Sequence, residues 1–261
     1  MVLEKIKTFI LDTLFPIHCL FCQKYGNWIC TECFSRIEIL SEQVCPYCEK
    51  NIALSGKVCD SCKNKILKKN DFLPLDGLIV SAKYRPLSKI IHLYKYNFVR
   101  DLNIPLARAM ISALIGNNAP LPDLIIPIPL HNRRLRWRGF NQAELLADYI
   151  GQNLTPGFSI PVIPDLIVRK KYTPPQMKIK NYQERQKNLR DAFSIFLSPS
   201  PLGGGWREAP GEGETLLKDK TILLVDDICT TSSTLLECAK VLKLNGAKKV
   251  FAAVIARQEM D

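Results

Sequence analysis

No part of the chain approaches the roughly 20 consecutive apolar residues that a membrane-spanning helix needs, which argues against a helical membrane protein. The phosphate loop G-x-x-x-x-G-K-[ST] is also missing, and with it the signature of the P-loop nucleotide hydrolases. No secretion signal is evident. Residues 1–15 place Leu3, Ile6, Phe9, Ile10 and Leu14 at helical spacing, but Glu4, Lys5, Lys7 and Asp12 interrupt them, so an amphipathic helix is expected there. The expected address is the cytoplasm. Residues 199–216 have no apolar period, and their Gly-rich stretch follows no apolar strand, so they are expected to form a flexible insertion loop.

What the chain does have is cysteine and positive charge. Of its 261 residues 10 are cysteine, and the formal net charge is +11. Residues 1–62 hold six Lys/Arg against seven Asp/Glu, so the excess belongs to the middle of the chain. A basic face attracts phosphates, on small ligands or on nucleic acid, but it can equally be a solvated surface, and charge alone does not decide. Beyond a lysine-rich joint (Lys63, Lys65, Lys68, Lys69), short apolar runs alternate with helical patterns. Strands are expected at 78–80, 124–128, 221–225 and 250–255, and helices at 88–97, 104–115, 141–154 and 233–245. That alternation predicts an α/β fold with a mostly parallel sheet. A small domain over residues 1–70 and a larger one over 71–261 follow from the composition change.

The cysteines read Cys19-x-x-Cys22, Cys30-x-x-Cys33, Cys45-x-x-Cys48 and Cys59-x-x-Cys62. Each C-x-x-C turn can present two sulfurs to one ion, and zinc prefers four tetrahedral ligands, so eight thiolates fit two closed, structural zinc sites. A segment this short has too little apolar surface to fold alone, whereas a structural zinc contributes about 10 to 16 kcal/mol of apparent binding energy. A disulfide scaffold needs an oxidising compartment, and a thioredoxin-like pair needs only one knuckle. Sequential pairing of the knuckles is favoured over interleaved pairing, and iron is the lesser alternative to zinc. Cys229 and Cys238 stand apart from the cluster; for Cys229 a buried thiol is expected rather than a nucleophile.

The sharpest pattern is Thr221-Ile-Leu-Leu-Val-Asp226-Asp227-Ile-Cys-Thr230-Thr231-Ser232-Ser233-Thr234, an apolar strand running into two carboxylates and a hydroxyl-rich turn that opens a helix. A helix start presents free backbone N–H groups and about half a positive charge, which suits a phosphate. Asp226 and Asp227 can accept hydrogen bonds from a vicinal diol such as the ribose 2- and 3-hydroxyls, and can help place a hydrated magnesium ion. The competing reading, a Walker B strand end, requires the phosphate loop that is missing.

These residues resemble the phosphoribosyl pyrophosphate motif of type I phosphoribosyltransferases. The chain also carries LFPIHCLFC, the C-x-x-C knuckles, the Lys95 region, IPIPLHNRRLRWRGFNQAELLA, TPPQ with the following ER-x-x-NLRDAF, and LLVDDICTT. By these motifs nearly its whole length resembles the ComF (competence protein F) family, bacterial proteins linked to natural transformation. It implies a type I phosphoribosyltransferase-like sheet flanked by helices and preceded by a double zinc ribbon. It also implies a ligand, phosphoribosyl diphosphate, held by Asp226, Asp227, Thr230, Thr231, Ser232, Ser233 and Thr234 with magnesium. The loop after the strand at 125–128 becomes a pyrophosphate loop, in which His131, Arg133, Arg134 and Arg138 would neutralise the leaving diphosphate. Asp226, Asp227 and Arg138 would carry any transfer chemistry.

Two departures stand out. Ser232 occupies a position that is commonly glycine in the motif, and Thr230 stands where purine-salvage relatives carry an acid, so purine salvage is not expected. The element containing Arg169, Lys170, Lys171, Gln176, Arg185 and Asn188 is either a flap over the site or a nucleic-acid track. Two functions therefore stand side by side: a magnesium-dependent phosphoribosyl transferase, or a DNA-uptake protein that binds single-stranded DNA and uses the pocket as a sensor. The implied partners are a DNA-uptake helicase and other competence proteins. Tyr84, Tyr94, Tyr96, Trp137, Phe140 and Tyr172 could stack on bases, though core packing is the commoner role for such residues.

Overall fold

The computed structural model describes residues 16–68, 72–97, 99–170, 192–196 and 216–258. The expected helix at 1–15, residues 199–215 of the expected insertion, and Lys171, Tyr172, Gln176, Arg185 and Asn188 lie outside the described residues.

Four strands form one parallel sheet: β1 (Gly77–Lys83), β2 (Leu124–Pro127), β5 (Thr221–Cys229) and β6 (Lys249–Arg257), in the order β1-β6-β5-β2. A parallel sheet covered on both faces needs apolar side chains at successive positions, which is why LIIP, ILLV and VFAAVIA read as continuous runs. Residues then divide by strand period. Ile79, Leu223, Val225, Ala253 and Ile255 face one core with helices α3 (Tyr84–Tyr96), α4 (Asn103–Gly116) and α6 (Gln142–Asn153). Leu78, Val80, Ile222, Leu224 and Val254 face the other, with α7 (Ser233–Leu244). A short antiparallel pair, β3 (Ile167–Arg169) and β4 (Phe193–Ile195), packs into that second core.

The cysteine-bearing segment, with its short helices α1 (Thr31–Phe34) and α2 (Asp60–Leu67), is docked along the free edge of β1. An edge strand presents unpaired N–H and C=O groups. Here Gln43 satisfies them: its Oε1 accepts from the Val80 N–H at 2.8 Å and its Nε2 donates to the Val80 carbonyl at 3.1 Å. The Leu40 N–H donates to the Ser81 carbonyl, and Ile39 bridges Ala82. Gly56, at φ +65°, lies so close to β1 that an added Cβ would overlap the Leu78 carbonyl. Cys19, Ile29, Cys30 and Cys33 join the first core, while Leu40 and Tyr47 pack on the second, so the segment straddles the sheet edge.

The structure departs from the sequence expectation in the short helices α1 and α2 and in three further places. β5 runs on to Cys229 rather than stopping at Val225, because its pairing with β6 continues through Asp226↔Val254, Ile228↔Ala256 and Cys229↔Arg257. A helix not expected from the sequence, α5 (Asn132–Arg138), follows β2; it has no buried residue and so lacks the apolar stripe that would have marked it. The β3-β4 pair was also not expected, since both strands are three residues long.

Candidate functional site

The two β5 carboxylates sit where β2 has already ended. β2 pairs β5 only as far as Pro127↔Val225, so beyond Val225 the β2 side of β5 opens. The gap is the floor of a cleft of about 620 Å³ at the carboxyl ends of the strands, where open α/β sheets bind ligands. It is lined by Asp226, Asp227 and Ile228 of β5, Thr230 of the turn and Thr234 of α7. Arg133, Arg134, Trp137 and Arg138 of α5 line it too, with Lys95 and Tyr96 ending α3, Asn141 to Ala143 opening α6, and Arg169 of β3. Among the described residues, five cationic side chains thus share the cleft with two carboxylates.

Asp227 is 7 % exposed and forms an ion pair with Lys95, Nζ to Oδ1 2.9 Å. Its Oδ1 also accepts from the Ile228 N–H at 2.6 Å, and Asp226 Oδ1 accepts from the Asp227 N–H at 2.8 Å. Burial, and then the neighbouring Asp227 carboxylate, push the Asp226 carboxyl up to about 8 against the pull of Lys95. In the sequence Lys95 stands out only through the family resemblance. Its ionic role depends on folding, which brings the end of α3 against β5.

α5 presents its arginines through two local devices. His131 caps it, Nδ1 accepting from the Arg133 N–H at 3.1 Å, and Gly139 ends it at φ +75°, a left-handed conformation that glycine adopts without strain. Burial and the cations of Arg169, Arg134, Arg136 and Arg133 hold the His131 imidazole below its usual range, which suits an acceptor. His131 is not among the cleft-lining residues. Arg138 lies with its guanidinium 5.5 Å from the Tyr96 ring centre and donates from Nη1 to Gln142 Oε1 at 2.9 Å. Asn141 caps α6 and ties it to the residue that follows β2, with Nδ2 donating to the Ile128 carbonyl at 3.1 Å.

The hydroxyl-rich turn divides. Thr230 and Thr234 line the cleft, whereas Thr231, Ser232 and Ser233 are buried at 2 %, 1 % and 2 % exposure. Thr231 and Ser233 hydroxyls lie 3.0 Å apart, within hydrogen-bonding distance. Ser232 adopts φ −67°, so this position does not require glycine. Cys229 is buried, and burial pushes its thiol up to about 11, which leaves it without nucleophilic character. Of the basic element at 169–188, Arg169 lines the cleft and stacks over Phe193 at 5.4 Å.

The eight clustered cysteines form two sets, Cys19, Cys22, Cys30, Cys33 and Cys45, Cys48, Cys59, Cys62, in the sequential pairing. In each set the four sulfurs lie within 4.8 Å of one another. A tetrahedral zinc with bonds of about 2.3 Å holds its sulfurs about 3.8 Å apart, and Cys22–Cys30 at 3.6 Å and Cys48–Cys59 at 3.9 Å match it. All eight are free thiols, and the Cys30 N–H and Asn51 Nδ2 donate to sulfurs, as outer partners of thiolates do. The chemistry and spacing fit structural zinc.

Residues 139–260 match the Phosphoribosyl transferase domain family and residues 10–63 the Double zinc ribbon domain family. The chain is 29% identical over 248 residues to "Competence protein F" of Haemophilus influenzae, covering 89% of this chain and 98% of that protein. It is 30% identical over 231 residues to "DNA utilization protein YhgH" of Shigella flexneri, covering 86% and 88%. A solved purine phosphoribosyltransferase from Pyrococcus horikoshii aligns over 59% of this chain and 80% of its own at 17% identity, with a TM-score of 0.31. No helix among the described residues is long and apolar enough to cross a membrane.

Proposed function

The chain belongs to the competence protein F family, and from that membership and the form of its cleft we propose that it binds phosphoribosyl diphosphate with magnesium and serves DNA uptake and utilisation. One observation carries the reading: two adjacent carboxylates at an opened strand end share a cleft with Thr230, Thr234 and the arginines of α5. The carboxylates suit a ribose diol, the turn a 5-phosphate, and Arg133, Arg134 and Arg138 a diphosphate. The oxygen donors of Asp226 and Asp227 fit a hard, hydrated cation, and magnesium when bound would add positive charge at the diphosphate.

In phosphoribosyl transfer the bond from C1 to the departing oxygen stretches early, so cation character gathers on the ring and negative charge on the diphosphate. Asp227, paired with Lys95, and Asp226, once a bound magnesium has displaced its proton, would steady the ring, and Arg138, already held by Gln142 and Tyr96, would stabilise the leaving group without reorganising. Thr230 offers no acid to protonate a base at neutral pH, so the acceptor, if the protein transfers, is not a purine handled as in salvage enzymes. Calorimetric titration with phosphoribosyl diphosphate and magnesium tests the reading. Micromolar binding that is lost in Asp227→Asn is expected, and absence of binding by the wild-type protein overturns it. Diphosphate release across a panel of acceptors separates transfer from binding.

A second reading has its own support. Trp137 is 59% exposed and Tyr96 38% exposed, their rings 6.1 Å apart at the basic cleft, an arrangement able to stack on bases of single-stranded DNA. In that case the protein docks a DNA-uptake helicase and other competence proteins, and its affinity for a single strand falls steeply with salt. Salt-insensitive or undetectable binding at low ionic strength removes this alternative.

A further inference from the structure

The turn that serves the cleft touches the metal-binding segment through Glu49. This residue follows Cys48, and its Oε1 accepts from the Ser232 backbone N–H at 3.4 Å and from the Ser232 hydroxyl at 3.5 Å. Arg257, ending β6, donates from Nη2 to the same hydroxyl at 3.3 Å. Ser232 is the N-cap of α7, and its own side chain makes no cap hydrogen bond. In a capping box the N-cap N–H is accepted by a Glu or Gln three residues later. That position here is Leu235, which is apolar and buried. Glu49 supplies the acceptor from the other end of the chain, and places a carboxylate at the positive end of the helix.

The local backbone makes the arrangement more pointed. Glu49 lies at φ 58°, in the left-handed region, as does Gln23, the corresponding residue after Cys22, at φ 65°. Glycine would be relaxed at such a position. A side chain stands there instead, and at Glu49 it is the one that reaches the turn. The serine at 232 belongs to the same device, since what it adds over glycine is a hydroxyl shared between Glu49 and Arg257.

We propose that Glu49 is a positioning residue that couples the metal held by Cys45, Cys48, Cys59 and Cys62 to the ligand site. The metal fixes the knuckle, the knuckle fixes Glu49, and Glu49 fixes Ser232 between Thr230 and Thr234, the two hydroxyls that line the cleft. The ligand side of this proposal rests on the phosphoribosyl reading; the conformational side does not.

The test compares full-length, zinc-loaded wild type with Glu49→Gly and Glu49→Gln. Glycine removes the carboxylate while relaxing the knuckle backbone, so both zinc ions and the thermal midpoint should be kept. Amide hydrogen exchange over residues 230–235 should then speed up by about fivefold, and affinity for phosphoribosyl diphosphate should fall between about twofold and tenfold. Glu49→Gln should stay near wild type, because its amide oxygen keeps the acceptor. Chelating zinc from the wild type should produce the same faster exchange in that segment. Unchanged exchange in Glu49→Gly with both metals present overturns the proposal, and so does tighter ligand binding, which would make Glu49 a competitor for the phosphate. If exchange responds but the wild type binds no phosphoribosyl diphosphate, the coupling stands and the functional reading fails.

Discussion

Asp226 and Asp227 are held together in a place where ionising both is unfavourable. Lys95 balances one of them at 2.9 Å, and burial, with the neighbouring Asp227 carboxylate, pushes the other carboxyl up to about 8. The folded-state pKa of Asp226 is raised above its unfolded value, so its contribution to stability is fully present below the ordinary carboxylate range and is lost as pH rises through about 8. Asp226→Asn keeps the shape without the charge. In magnesium-free buffer it should match wild type near pH 4 and exceed it by at least about 1 kcal/mol at pH 8 and above, while losing any phosphoribosyl ligand. Urea unfolding of both proteins across that range measures the gap; a difference independent of pH would show that Asp226 is ionised throughout.

At the scale of elements, the docked edge of β1 makes a sharp case. Gln43 accepts from and donates to the backbone of Val80, which is 6 % exposed, so Gln43→Ala leaves two buried backbone groups without partners. At about 1 to 3 kcal/mol for each stranded group, the loss should be on the order of 2 to 6 kcal/mol. Gln152→Ala, exposed on α6, should change stability by less than about 0.5 kcal/mol in the same thermal melts. The elements themselves were largely legible: the apolar runs of all four sheet strands and the stripes of α3, α4, α6 and α7 stand in the sequence within a few residues of their bounds. So were the two cysteine sets, because C-x-x-C spacing is a local constraint. What escaped depends on pairings between distant segments. β5 passes its own carboxylates only because β6 keeps pairing with it, α5 is amphipathic in no usable sense, and neither the Lys95 ion pair nor the Glu49 contact has any local signature. The resemblance offers His131 as a diphosphate ligand, and in the fold its Nδ1 also caps α5.

Composition divides the chain at about residue 70, yet the core does not divide there. Cys19, Ile29, Cys30 and Cys33 belong to the same buried cluster as Ile79, Leu87 and Phe251, and Leu40 and Tyr47 pack on the opposite face of the sheet. A metal that holds the appendage therefore also holds the edge of the sheet. Structural zinc contributes about 10 to 16 kcal/mol in isolated knuckles, and even a third of that reaching the shared core would move the midpoint by ~10 °C. Calorimetry of the zinc-loaded protein should show one cooperative transition. Chelation should lower it by about 10 °C or more and expose the edge of β1, an open template for strand pairing, so aggregation should accompany the shift. Two independent transitions, with the higher one indifferent to chelator, would mean that the cysteine segment hangs on the sheet without supporting it. A shared transition would mean that metal status is felt throughout the molecule, including at the strand ends where the cleft lies.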